Sequence, residues 1–100
     1  MVKLLDGNTF YDSIDKEKTV IVDFFAEWCG PCKMMAPVFE KLSEELTEID
    51  FCKINVDTSP EIAQKYGIMS IPTFIVFYNG QPVKKQLGAM SEDDLKLLLK

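Results

Sequence analysis

The sequence predicts an α/β fold built on a mixed sheet. Segments dense in β-branched and aromatic residues alternate with segments whose apolar residues recur every three or four positions, a pattern that calls for parallel strands joined by helical crossovers. The last two strand-like segments flank Asn79-Gly80, a dipeptide suited to the positive φ angles of a tight hairpin, so that pair must run antiparallel. Together these give a central mixed five-stranded sheet flanked by four helices, in the order βαβαβαββα. With 100 residues and 47% hydrophobic content, the chain suffices for one core and one domain, residues 1–100.

The elements follow in order. Val2 to Leu5 reads as a short first strand, and Gly7-Asn8-Thr9 offers a turn and a cap before a short helix over Phe10 to Ile14. Thr19 to Phe25 is apolar on both faces, as a central buried strand should be, with Asp23 as the exception. From about Cys32, the residues Met35, Val38, Phe39, Leu42, Leu46 and Ile49 form the apolar stripe of a long helix, with Pro37 inside it as a kink site. Phe51 to Val56 is another inner strand. Ser59-Pro60-Glu61 opens a short helix that should stop at Gly67. Thr73 to Tyr78, the Asn79-Gly80 turn and Val83 to Leu87 form the hairpin, and Ser91 caps a last helix whose buried side is Leu95, Leu98 and Leu99.

Charge and composition narrow the function. The net charge is -5, and the eleven basic residues include no Arg, which removes the guanidinium groups that dominate phosphate and base recognition. Nucleic acid is an unsuitable partner. No apolar run approaches the ~18 residues that span a bilayer, and the first residues reach Asp6 too soon for a signal peptide, so no membrane role is expected. Three cysteines, two of them close neighbours, suit a reactive pair in a reducing, cytoplasmic setting better than a disulfide-stapled fold.

The reactive pair lies in Trp28-Cys29-Gly30-Pro31-Cys32, where the central strand gives way to the long helix. If that helix starts near Cys29, this cysteine sits at its N-cap, where free N–H groups and the positive end of the dipole favour a thiolate. Cys32 lies one turn further on the same face, within reach of a disulfide. The motif alone leaves other readings open: half of a zinc site, which this chain without His cannot complete by itself, or a binding module that uses an apolar rim. Cys52, inside a strand, reads as a small buried apolar residue.

A wider set of residues carries a resemblance. Val22 to Lys33, Ala36-Pro37, Lys53-Ile54-Asn55-Val56-Asp57, Tyr66-Gly67-Ile68, Ile71-Pro72-Thr73, Asn79-Gly80 and Gly88 are similar, in order and interval, to the thioredoxin family, over essentially the whole chain. Phe25 departs from it, since many members carry a second Trp there. The resemblance implies a thioredoxin fold and a monomeric protein-disulfide reductase. Its partners would be disulfide-containing proteins and a thioredoxin reductase, and it would need no cofactor beyond the redox-active Cys29–Cys32 disulfide. A His in place of Pro31 would favour disulfide formation instead; Pro31 favours reduction.

On that reading Cys29 is the nucleophile and Cys32, more buried, the resolving thiol. Asp23, desolvated in its apolar strand, is the proton acceptor and donor, and Lys53 on the neighbouring strand tunes it; a buried Asp23–Lys53 ion pair of purely structural value is the alternative. The resemblance further implies a cis bond before Pro72 and a docking surface of Trp28, Gly30, Pro31, Met69, Ile71, Pro72, Gly88 and Ala89. Met69 and Ala89 are equally readable as incidental surface residues.

Overall fold

The computed structural model describes all residues, 1–100. Five strands and four helices alternate as β1 (Val2–Leu5), α1 (Phe10–Ile14), β2 (Val20–Phe25), α2 (Gly30–Glu45), β3 (Asp50–Asn55), α3 (Pro60–Lys65), β4 (Thr73–Tyr78), β5 (Gln81–Leu87) and α4 (Glu92–Leu98). In space the strands run β1-β3-β2-β4-β5. The first three are parallel, and β4 and β5 are each antiparallel to the neighbour they follow in that order. The expected element order and mixed sheet are therefore what the chain adopts.

Strand alternation sorts side chains onto two faces. Val20, Val22 and Phe24 of β2 join Phe10 and Ile14 of α1 and Ile62 of α3 in one buried cluster. Ile21 joins Phe51, Phe74 and Val76 against Met35, Phe39 and Leu42 of α2 and Leu95 of α4 on the other. Asp23 follows Ile21 by two, so it points to the α2 side. Phe39 is the centre of that layer, its ring 5.0 Å from Phe51 and 5.7 Å from Phe74.

Several local expectations shift by a residue or two. β2 begins at Val20 rather than Thr19, β3 at Asp50 rather than Phe51, and β5 at Gln81 rather than Val83. Helix α2 ends at Glu45, so Ile49, expected on its stripe, packs from the connection instead. Cap chemistry differs more. Thr9 makes no side-chain cap bond; the Asp6 carboxylate accepts from the Asn8 and Thr9 N–H groups at 2.8 and 3.0 Å. Ser59 holds the N-cap position of α3 without a side-chain bond, whereas Ser91 Oγ accepts from the Asp94 N–H at 3.1 Å.

The loops that carry the site are fixed from the scaffold. Gly88, at φ +86, donates its N–H to the Pro72 carbonyl at 2.8 Å, and Thr73 Oγ1 donates to the Ser70 carbonyl at 2.6 Å. A side chain at Gly88 would be strained by that φ alone. The Ile71-Pro72 peptide bond is cis, as the resemblance implied.

Candidate active site

Helix α2 starts one residue after Cys29, which is its N-cap in extended geometry, with Pro31 in the first turn. Proline there forfeits an N–H that has no helical partner anyway. The Cys32 N–H donates to Cys29 Sγ at 3.2 Å, so the sulfur takes the place of a capping oxygen and faces the positive end of a 16-residue helix. Cys29 and Cys32 are joined as a disulfide, with Cα atoms 5.2 Å apart. The junction between β2 and α2 therefore positions both sulfurs.

Burial does not separate the two as expected. Cys29 is 3% exposed and Cys32 5%, because in the disulfide both sit against Ala26 with Phe25, Val56 and Ile71 around them. What distinguishes them is placement. Cys29 Sγ lies 3.8 Å from the Ile71 carbonyl oxygen, at the loop before β4. Cys32 lines a cleft of about 290 Å³ together with Asp23, Phe25, Glu27, Lys33 and Lys53, a lining that includes neither Cys29 nor Ile71.

Asp23 and Lys53 are direct partners in the parallel register of β2 and β3. Asp23 is buried and its Oδ1 has no hydrogen-bond partner. Burial pushes its carboxyl up from the ordinary 3.8 to about 7, with Lys53 pulling the other way. Lys53 does not close onto it as a structural ion pair; its Nζ lies 5.3 Å from the centre of the Phe25 ring. An unpaired carboxyl half ionised near neutrality is suited to taking and returning a proton.

The expected docking residues fall into two groups. Trp28 is 70% and Met69 96% exposed, and Gly30, Pro31 and Ala89 are exposed as well, so these offer contact area. Ile71 and Gly88 are half-buried and Pro72 is buried, so these three offer less contact area than expected. Sequence reasoning missed Asp57 as a member of the site: its Oδ2 accepts from Trp28 Nε1 at 2.8 Å, across 29 residues. The sequence carries no signal for this contact, since the N–H of an exposed indole is equally well satisfied by water. Cys52 is buried and takes no part, and burial raises its thiol to about 11. No cluster of His, Cys, Asp and Glu in the chain could hold a metal ion, and no helix is long and apolar enough to cross a membrane.

A closed dithiol pair at a helix N-terminus, backed by a buried carboxyl and faced by an open backbone loop, defines a thiol–disulfide exchange protein. The Thioredoxin family model matches residues 1–100. The chain is 44% identical over 99 residues to thioredoxin of Chlamydia muridarum, covering 99% of this chain and 96% of that one. It is 47% identical to part of a bifunctional thioredoxin reductase/thioredoxin of Mycobacterium leprae, covering 88% of this chain but only 19% of that longer protein. Among solved structures it is similar to Plasmodium falciparum thioredoxin, with TM-score 0.91 and 44% identity over 97% of this chain and 95% of that one. The chain belongs to the thioredoxin family. Its activity is thiol–disulfide oxidoreduction of proteins through the Cys29–Cys32 couple.

Proposed function

We propose that residues 1–100 act as a monomeric, cytoplasmic electron carrier in thiol redox homeostasis, recharged by a thioredoxin reductase. Support for that partner comes from the Mycobacterium leprae relative, in which the two activities share a name and a chain. The observation that carries the division of labour is the Cys32 N–H donated to Cys29 Sγ. In the reduced protein the same donor and the helix N-terminus stabilise a Cys29 thiolate, which makes Cys29 the attacking sulfur. It displaces one sulfur of a substrate disulfide and forms a mixed disulfide; the displaced sulfur leaves as a thiolate and takes up a proton.

Resolution then needs Cys32 as a thiolate. Asp23 and Cys32 share one cleft, and a carboxylate with pKa near 7 accepts the thiol proton directly or through water. Lys53 favours the ionised form of Asp23 and so tunes it. Cys32 Sγ attacks Cys29 Sγ, the reduced substrate departs with both electrons, and the intramolecular disulfide is left. The substrate strand lies against Ile71, whose position beside Cys29 suits backbone pairing with an extended segment. Trp28, Gly30, Pro31, Met69, Pro72, Gly88 and Ala89 surround it.

The test is insulin reduction driven by NADPH and a thioredoxin reductase. Wild type is expected to turn over, Cys29→Ser to lose activity outright, and Cys32→Ser to accumulate the mixed disulfide. Full activity in Cys29→Ser would reject the assignment.

A further inference from the structure

Trp28 presents a paradox of order on an exposed surface: 70% of it is accessible, yet its indole is held by a 2.8 Å hydrogen bond to Asp57. Asp57 is itself a loop residue just beyond β3, and a carboxylate on an untethered loop could not fix anything. The tether is Asn55. Its Oδ1 accepts from the Asp57 N–H at 2.8 Å and from the Thr58 N–H at 3.4 Å, while its carbonyl accepts from the Ser59 N–H at 3.0 Å. An Asn that bonds the backbone two residues on is a turn-forming device. Asn55 is also the last residue of β3, paired in register with Phe25, and the next N–H, that of Val56, donates to the Phe25 carbonyl at 2.8 Å. The turn is therefore anchored to the end of β2, the strand that leads into Trp28 and Cys29.

We infer that Asn55 is a positioning residue for Trp28: by shaping the Asn55–Ser59 turn it aims the Asp57 carboxylate at the indole and presets the aromatic wall of the docking surface. The inference rests on the proposed role of Trp28 in docking for its kinetic consequence, but not for its structural one. A preset wall lowers the ordering cost of binding a polypeptide. It adds nothing for a disulfide too small to reach the wall.

Trp28 is the single Trp of the chain, so its fluorescence reads the effect directly. In Asn55→Ala, lower Trp anisotropy and about twofold greater acrylamide quenching are expected, with KM for insulin raised about three- to tenfold, the range of one lost hydrogen bond. The rate with dithiobis(nitrobenzoate) should stay within about twofold, since the thiols are untouched. Asn55→Asp keeps the acceptor oxygen and should restore anisotropy, and Asp57→Ala, which leaves the Asn55 backbone bonds possible, should reproduce the loosened indole. Unchanged anisotropy and quenching in either Asn55→Ala or Asp57→Ala overturn the inference, as does an Asn55→Asp protein loosened as far as Asn55→Ala. Trp28→Ala separates the two claims: an unaltered insulin KM there rejects the docking role of Trp28, while the anisotropy result still decides the role of Asn55.

Discussion

Asp23→Asn is the perturbation whose pH dependence can be worked out most directly from this structure. Its carboxyl is raised from 3.8 to about 7, which corresponds to roughly 4 kcal/mol at 1.36 kcal/mol per unit. The sign follows from proton counting. Between about pH 4 and 7 the folded protein holds a proton on Asp23 that the unfolded chain has released, so stability falls as pH rises through that window and levels off above it. Asn has nearly the same shape and no ionisation, so the variant lacks this loss. The amide has its own packing and hydrogen-bond balance against a site where Oδ1 has no partner, but that contribution is common to all pH values. The difference between the variant's advantage at pH 8.5 and at pH 4 therefore isolates the ionisation, and about 4 kcal/mol is its upper bound. Even half of it would move the melting temperature by roughly 8 to 16 °C in a domain this size. The assay is urea unfolding of the oxidised protein, in which neither Cys29 nor Cys32 titrates. The same variant should slow release of the mixed disulfide at neutral pH. An advantage for Asn that is equal at both pH values would refute the argument, because Asp23 would then be ionised in the fold at no cost.

Three further outcomes test other parts of the molecule. Phe39→Ala removes the ring between Phe51 and Phe74 at a site 2% exposed, and should cost about 3–5 kcal/mol in the same unfolding assay. Iodoacetamide at pH 7 should label only Cys29 rapidly in the reduced native protein, and should reach Cys52 only in urea, because burial both shields that thiol and raises it to about 11; mass spectrometry of the peptides reads this. Gly88→Val should weaken the hairpin end by about 1 kcal/mol or more through its φ of +86, although open space surrounds a Cβ there, and it should raise KM for insulin more than it lowers kcat.

What was legible in the sequence divides along a physical line. Strands β2 and β4 and the stripe of α2 were readable because burial imposes a period, and a one-residue error in period would turn every core side chain outward. The Cys29 N-cap was readable for a related reason: strand residues, two cysteines and a proline at the helix start allow few other geometries. Asp23 stood out as the one charge in an apolar strand, and its partner in register, Lys53, as a charge within the apolar pattern of the next strand. What could not be read were contacts that carry no period. The Asp6 cap displaced Thr9 by a choice among neighbouring oxygens that composition leaves degenerate. Equal burial of Cys29 and Cys32 is a property of the packed pocket rather than of either residue's place in the helix. Asp57 reaches Trp28 across 29 residues, a distance that strand order alone closes: β3 must lie beside β2 before the loop after one can touch the loop after the other. Thus the reacting sulfurs are set by local sequence, whereas the proposed docking surface beside them is assembled by topology, and substitutions in the turn after β3 should alter partner preference while leaving the disulfide chemistry intact.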